Sequence, residues 1–167
     1  MKRSEPLRLV RVSEIPKGGP CPADDPMRLY KLGLEMESIC KEKNGVGLSA
    51  VQVGVPYNFF VTVVDGKTEY WVDCSYQGSD GWVGTVEGCL SLLGKDGKPE
   101  SYSVKRHKSV QVTGKRLVVE DASPAPELRE FSESFEGSKS IIFQHEIDHA
   151  HGTLISHIGE QVFLFRG

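Results

Sequence analysis

The pentapeptide His145-Glu146-Ile147-Asp148-His149 has the residue types and spacing best suited to chemistry in this chain. If the segment from Lys139 to Ala150 is helical, residues four apart lie on one face, so His145 and His149 can bind a single cation. Glu146 then lies about 100° around the helix from His145, where it can reach a water on that cation without binding the cation. These are the parts of a metal-dependent hydrolase. The alternative is a helix with two solvated histidines, since an isolated H-E-x-x-H often arises by chance.

A catalytic site of this type requires a third protein ligand, and the sequence after His149 offers few candidates. The longer metalloprotease signature H-E-x-x-H-x-x-G-x-x-H fails at its final position, where this chain has Ile155. Glu160 is the only downstream carboxylate, and too little chain separates it from His149 to build a second helix. His151 and His157 remain formally available, although His151 would lie on a different side of the helix. We therefore expect the third ligand upstream.

Cys89 is the strongest upstream candidate and lies in an E-G-C-L-S segment at residues 87–91. A thiolate suits Zn²⁺ or Fe²⁺, and one cysteine with two histidines leaves a fourth position for water. The alternative for a free cysteine is a small buried hydrophobic residue, which we expect for Cys21, Cys40 and Cys74. The four cysteines form no C-x-x-C pair, so neither a zinc ribbon nor a dithiol redox centre is indicated.

A third segment, Gly45 to Gln52, combines two glycines with an uncharged polar side chain. The glycines allow main-chain groups to pair with an extended ligand. Gln52 could donate to a developing oxyanion. By itself the segment is equally compatible with a glycine that ends a helix, followed by a tight turn.

Together the three segments resemble the peptide deformylase family, whose motifs run G-x-G-L-A-A-x-Q, E-G-C-L-S and Q-H-E-x-D-H-x-x-G in that order. This chain has G-V-G-L-S-A-V-Q at 45–52, E-G-C-L-S at 87–91 and Q-H-E-I-D-H-A-H-G at 144–152. It departs from the family pattern at Ser49 (usually Ala), Leu93 (often Pro), Asp73-Cys74 (usually Asn-Pro) and Ala150 (usually Leu). None of these positions is a proposed ligand, so we expect them to affect substrate preference and loop geometry.

The resemblance implies hydrolysis of the N-formyl group from the initiator methionine of nascent polypeptides, with release of formate. Cys89, His145 and His149 would bind one divalent metal ion. The family suggests Fe²⁺ in the cell, with Zn²⁺, Ni²⁺ or Co²⁺ in its place after purification. Glu146 would take a proton from the attacking water and return it to the departing amine.

The resemblance also implies how the substrate is held. The Gln52 side chain and the backbone N–H of Leu90 would stabilise the oxyanion. Val46 and Gly47 would pair with the peptide backbone. The methionine pocket would be lined by Val46, Val86, Ile141, Ile142 and the flat side of His145. Arg106 matches an arginine that the family keeps near its active site, although a solvated charge run at Lys105-Arg106-His107 is an equal alternative.

Two other classes of protein share parts of this pattern. An endopeptidase would share the pentapeptide but would need a downstream ligand, which the sequence does not supply. A catalytically silent domain could keep the cysteine and two histidines as a structural clamp. Such a clamp has no use for Glu146, which favours the enzyme.

The elements that must position these residues indicate an α+β fold in one domain covering residues 1–167, with antiparallel strands around the metal-binding helix and a further N-terminal helix. We predict that the N-terminal helix starts at Asp24-Asp25-Pro26 and ends at Asn44-Gly45. The remaining predictions are strands at Phe59–Val64 and Thr68–Val72 joined by a hairpin, a second hairpin from Val110–Thr113 and Leu117–Val119, and a loop at Asp121–Glu127.

Charge and composition exclude several partners. With a net charge of −3 and a pI near 6.0, the chain has no signature of a nucleic-acid or anionic-membrane partner. No stretch approaches the roughly 20 apolar residues of a membrane span. Few, unpatterned cysteines suit a reducing cytoplasm. We therefore expect a cytoplasmic protein. The resemblance implies nascent peptides at the ribosome as its partners, and we expect it to be a monomer.

Overall fold

The computed structural model describes residues 5–79, 81–121 and 123–163. In chain order its elements are α1 (Pro26–Glu42), β1 (Gly47–Ser49), β2 (Phe59–Val64), β3 (Lys67–Gly78), β4 (Trp82–Leu93), β5 (Pro99–His107), β6 (Ser109–Glu120), β7 (Ser123–Glu136), α2 (Gly137–Ala150), α3 (Ile155–Ile158) and β8 (Glu160–Val162). Short 3-10 turns occur at Val12–Glu14 and Ala50–Val53.

The strands form two antiparallel sheets, and α2 contacts both of them. One sheet has the order β1-β2-β3-β6-β7 and the other the order β4-β5-β8. Helix α2 packs on β1, β2, β3, β6 and β7 of the first sheet and on β5 of the second. The predicted α+β fold, with antiparallel strands around the helix that carries the pentapeptide, is confirmed. None of the helices among the described residues is long and apolar enough to cross a membrane.

Helix α1 has the bounds that its capping residues predict. The Asp25 side chain accepts a hydrogen bond from the Arg28 backbone N–H at 3.1 Å, and Pro26 occupies the first turn. The helix ends just before Asn44, whose φ of 55° is left-handed. Its apolar stripe packs into the core with Phe59, Val61 and Val72 of the large sheet, and consists of Leu29, Leu32, Met36 and Cys40.

Helix α2 is buried on most of its surface, including several polar positions. Phe143 and Ile147 pack with Phe60, Trp71 and Phe135 in a second apolar cluster. The same helix also buries Ser140, Gln144, Glu146 and His149. Buried polar groups are costly unless they are paired or bind a ligand. The polar side of α2 is therefore where a functional site is expected.

Two predictions about β6 and β7 were wrong. The segment from Ser109 to Glu120 is a single strand rather than a hairpin, and it pairs with β7 along most of its length. Gly114, within this strand, allows close approach to β3, because a Cβ there would lie 2.7 Å from Cys74 Sγ. The predicted loop at 121–127 instead belongs to β7 from residue 123 onward. As the outer strand of its sheet, β7 tolerates a proline such as Pro126.

Candidate metal centre and active site

A cavity of about 330 Å³ opens between the end of α1, β1, β4 and α2. All three sequence motifs contribute to its lining. The lining residues are Lys43, Asn44, Gly45, Val46, Gly47, Gln52, Glu87, Gly88, Cys89, Leu90, Pro99, Ile141, Ile142, His145 and Glu146. Segments far apart in sequence therefore converge where the motifs predicted chemistry.

Cys89, His145 and His149 come together beside this cavity. Their ligand atoms lie within 4.8 Å of one another, and Cys89 Sγ is 3.6 Å from His149 Nε2. Bonds of about 2.3 Å to sulfur and about 2.0 Å to nitrogen at a tetrahedral angle would place these atoms about 3.5 Å apart. Burial lowers the pKa of His149 well below its usual value, which favours the neutral form that binds metals. The donor set therefore fits one divalent ion.

The alternative downstream histidines have other partners. His151 Nδ1 lies 3.0 Å from the Ile147 carbonyl, and His157 Nδ1 accepts a hydrogen bond from the Leu154 backbone N–H at 3.1 Å. Cys40 and Cys74 are fully buried in apolar clusters, as expected for structural cysteines.

Glu146 faces the cavity as a buried carboxylate. It is 4% exposed, and its Oε2 atom has no hydrogen-bond partner among the described residues. Burial raises its pKa to about 7. Gly47 packs against this carboxylate so closely that a Cβ at Gly47 would lie 2.7 Å from Glu146 Oε1. A carboxylate with such a pKa can both take and return a proton near neutral pH.

Gln52 is fixed beside the cysteine sulfur. Its Oε1 atom accepts a hydrogen bond from the Ser49 backbone N–H at 2.9 Å. Its Nε2 atom donates to Ser91 Oγ at 2.9 Å and lies 3.5 Å from Cys89 Sγ. Because the backbone of Ser49 makes this contact, the change from the usual alanine leaves the position of Gln52 intact. Leu90 lines the same cavity.

Behind His145 lies a chain of buried polar groups. His145 Nδ1 is 2.8 Å from Glu87 Oε1, and Arg106 donates to Glu87 through Nε at 2.9 Å and Nη2 at 2.8 Å. Arg106 Nη1 also donates to Asp148 Oδ2 at 2.7 Å, and the Tyr76 hydroxyl donates to Asp148 Oδ1 at 2.7 Å. Groups of this kind orient metal-binding histidines. The roles of Glu87, Asp148 and Tyr76 were not predicted from the sequence.

The hydrogen bonds and ion pairs around Glu87 lower the pKa of its carboxyl group strongly. Burial alone would raise the pKa of its carboxyl group. Hydrogen bonds from His145, Arg106 and Thr85 outweigh burial and lower that pKa to about 2. Glu87 therefore stays ionised and holds the His145 ring by its Nδ1 atom, which leaves the other ring nitrogen for the cavity side.

The structure places two of the predicted substrate contacts outside the cavity lining. Arg106 is 2% exposed and does not line the cavity, so it supports Glu87 and Asp148 rather than the substrate. Val86 is 60% exposed and also lies outside the lining. Successive side chains of a strand point to opposite faces, and the inward side chain of Glu87 turns Val86 outward. Val46, Gly47, Ile141 and Ile142 do line the cavity.

Comparison with known proteins agrees with this geometry. A sequence profile of the family described as polypeptide deformylase matches residues 20–161. The chain belongs to the polypeptide deformylase family. A peptide deformylase of Symbiobacterium thermophilum is 35% identical over 113 residues, covering 66% of this chain and 46% of that protein. A peptide deformylase of Rhodopirellula baltica is 32% identical over 143 residues, covering 80% of this chain and 63% of the relative.

A solved deformylase structure shares the fold. The crystal structure of peptide deformylase from Thermotoga maritima aligns with a TM-score of 0.75 at 24% identity, covering 92% of this chain and 97% of that one. The match to the two curated relatives spans only about half to two thirds of their length. Family membership and fold are thus established for this deformylase-family chain.

Proposed function

We propose that this chain is a metal-dependent hydrolase that removes the N-formyl group from formyl-methionine at the start of nascent polypeptides. The proposal depends on one observation: a set of metal-binding side chains and a buried carboxylate lie side by side at the same cavity. Cys89, His145 and His149 form a donor set, and Glu146 lies beside it with an unpaired oxygen. Membership of the deformylase family supplies the formyl substrate.

The chemistry follows from the position of each group. A divalent ion at this donor set would lower the pKa of a water molecule and polarise the formyl carbonyl. Glu146, whose pKa is about 7, takes the proton of the attacking water and then returns it to the departing amine. Gln52 Nε2 and the Leu90 backbone N–H stabilise the oxygen that becomes negative. Formate and a free amino terminus are the products.

The substrate backbone would add to an open strand edge. β1 is the outer strand of its sheet, and its inner edge is already paired with β2. An extended peptide beside Val46 and Gly47 would continue this sheet. The aliphatic side chains of Val46, Ile141 and Ile142 suit the unbranched thioether of methionine.

The identity of the ion and the cellular setting extend the same proposal. We infer Fe²⁺ as the native ion, because the family resemblance favours it and one thiolate with two imidazoles suits this metal. Zn²⁺, Ni²⁺ or Co²⁺ would replace it during purification. All four cysteines are free, which suits a reducing cytoplasm. Action on nascent chains at the ribosome and a monomeric state stay predictions.

The test combines metal analysis with a formate-release assay on anaerobically purified protein. We expect formate from a formyl-Met peptide and no cleavage of an internal peptide bond. Cys89→Ala should lose the metal and the activity, whereas Cys40→Ala, the matched control in α1, should keep both. Metal retained at full stoichiometry in Cys89→Ala would refute the ligand set. Cleavage of internal bonds would instead support an endopeptidase.

A further inference from the structure

Lys43 places a positive charge at the mouth of the cavity. It is exposed at the end of α1 and is part of the cavity lining. Among the described residues, no hydrogen bond or ion pair engages its ammonium group. By contrast Lys41, two residues earlier, donates to Glu37 at 2.6 Å. The Lys43 charge is therefore available to a ligand.

The other charged residues of the lining do not balance this charge. Glu87 is paired with Arg106 at the back of the cavity. Glu146 is buried next to the metal donors. Glu42 neighbours Lys43 in sequence but is not part of the lining. Lys43 is thus the charged residue of the lining that is both exposed and without an ion pair among the described residues.

The distance from the reacting centre to Lys43 matches a short stretch of peptide. Gly47 lies against Glu146, beside which the proposed function places the formyl group. Lys43 is four positions before Gly47 in the sequence, so their Cα atoms lie at most about 14 Å apart. A substrate strand beside this edge advances about 3.3 Å per residue. A substrate that runs along β1 from Gly47 towards Lys43 would therefore bring its residues two to four, counting the formyl-methionine as one, past Lys43.

We propose that Lys43 is a specificity-determining residue that makes this enzyme favour formyl-methionine peptides with an acidic side chain at positions two to four. The inference rests on the proposed deformylase function. An exposed ion pair contributes little, so the expected preference is about two- to five-fold in kcat/KM over a neutral peptide. Because the pair is exposed to solvent, salt screens it.

The experiment measures formate release from three formyl-Met-Ala-X-Ser peptides in which X is Glu, Gln or Lys. For the wild type we expect kcat/KM to be highest for the Glu peptide, lower for the Gln peptide and lowest for the Lys peptide. The ratio of kcat/KM between the Glu and Lys peptides should fall towards one at high salt. Lys43→Glu should invert the order, and Lys43→Ala should bring the ratio near one. Lys31→Glu makes the same change of net charge about 18 Å away along α1, and should keep the wild-type ratio.

The ratio is internal to each enzyme preparation, so partial misfolding or incomplete metal loading does not affect it. An equal Glu-to-Lys ratio in wild type and Lys43→Glu would overturn the proposal. A shift of the same size in Lys31→Glu would also overturn it, because the effect would then come from net charge. Failure to release formate from the neutral peptide would instead refute the deformylase function itself.

Discussion

Two regions of the site differ in burial and pairing. The back is the buried network of Glu87, Arg106 and Asp148 behind His145, and the mouth is the exposed opening beside Lys43 and Val46. At the back, Arg106 is 2% exposed and every nitrogen of its guanidinium group donates to a carboxylate. At the mouth, Val46 is 54% exposed and Lys43 forms no ion pair among the described residues. The back holds the candidate metal ligands in one geometry, whereas the side chains at the mouth are free to meet the different peptides of the proposed function. Substitutions should therefore affect chemistry and stability at the back, and affinity alone at the mouth.

The largest expected effect comes from Glu146→Gln, which keeps the shape of the side chain and removes its basicity. Turnover should fall by about 10²–10⁴-fold, the usual contribution of general acid–base catalysis, while metal content persists. Formate release and metal analysis of the same sample would measure both. Near-wild-type turnover would show that another group carries the proton.

Arg106→Met tests the back of the cavity as a buried charge network. The substitution leaves Glu87 and Asp148 buried without their shared partner, which typically costs about 3–5 kcal/mol of stability. Urea unfolding of the metal-free protein would measure this cost. The control Arg129→Met removes exposed ion pairs to Glu120 and Glu127. It should leave the urea concentration at the unfolding midpoint nearly unchanged. A raised KM for Arg106→Met without loss of stability would restore the direct substrate contact first expected for Arg106.

The contrast between the two regions also explains what the sequence could predict. Ligands such as His145 and His149 lie one helical turn apart, so local spacing alone indicates their shared face. The bounds of α1 follow from local capping at Asp25. For Arg106 the sequence left a substrate contact and a solvated charge run as equal alternatives, because its two carboxylate partners lie 19 and 42 residues away. The hairpin predicted from Val110–Thr113 and Leu117–Val119 was wrong for the same reason, since the neighbour that requires a glycine at position 114 is Cys74 on another strand.

Tyr76→Phe tests whether the hydrogen-bond network of Glu87, Arg106 and Asp148 extends as far as Tyr76 in its effect on the candidate metal ligands. It removes the hydroxyl that donates to Asp148, with a stability cost of about 1 kcal/mol. Because Asp148 holds Arg106, and Arg106 holds Glu87, we expect metal affinity to weaken by up to about tenfold, the lower end of such effects. Chelator competition would measure it. The control Tyr70→Phe removes a similar bond to Glu37, remote from the site, and should leave metal affinity unchanged. If Tyr76→Phe and Tyr70→Phe bind metal equally well, the groups that influence metal affinity do not extend beyond Arg106 and Glu87.

The smallest effect on stability is expected at the mouth, where Val46→Ala and Val86→Ala form a matched pair. Both valines are more than half exposed, but only Val46 lines the cavity. Removing two methyl carbons from a partly exposed contact with the methionine side chain should lower kcat/KM by about three- to tenfold. The loss should appear in KM with kcat retained, as expected for a contact that is equally strong before and during the reaction. Val86→Ala should change neither constant. If both variants raise KM equally, Val86 belongs to the methionine pocket after all, and β4 must turn that side chain inward when the substrate binds.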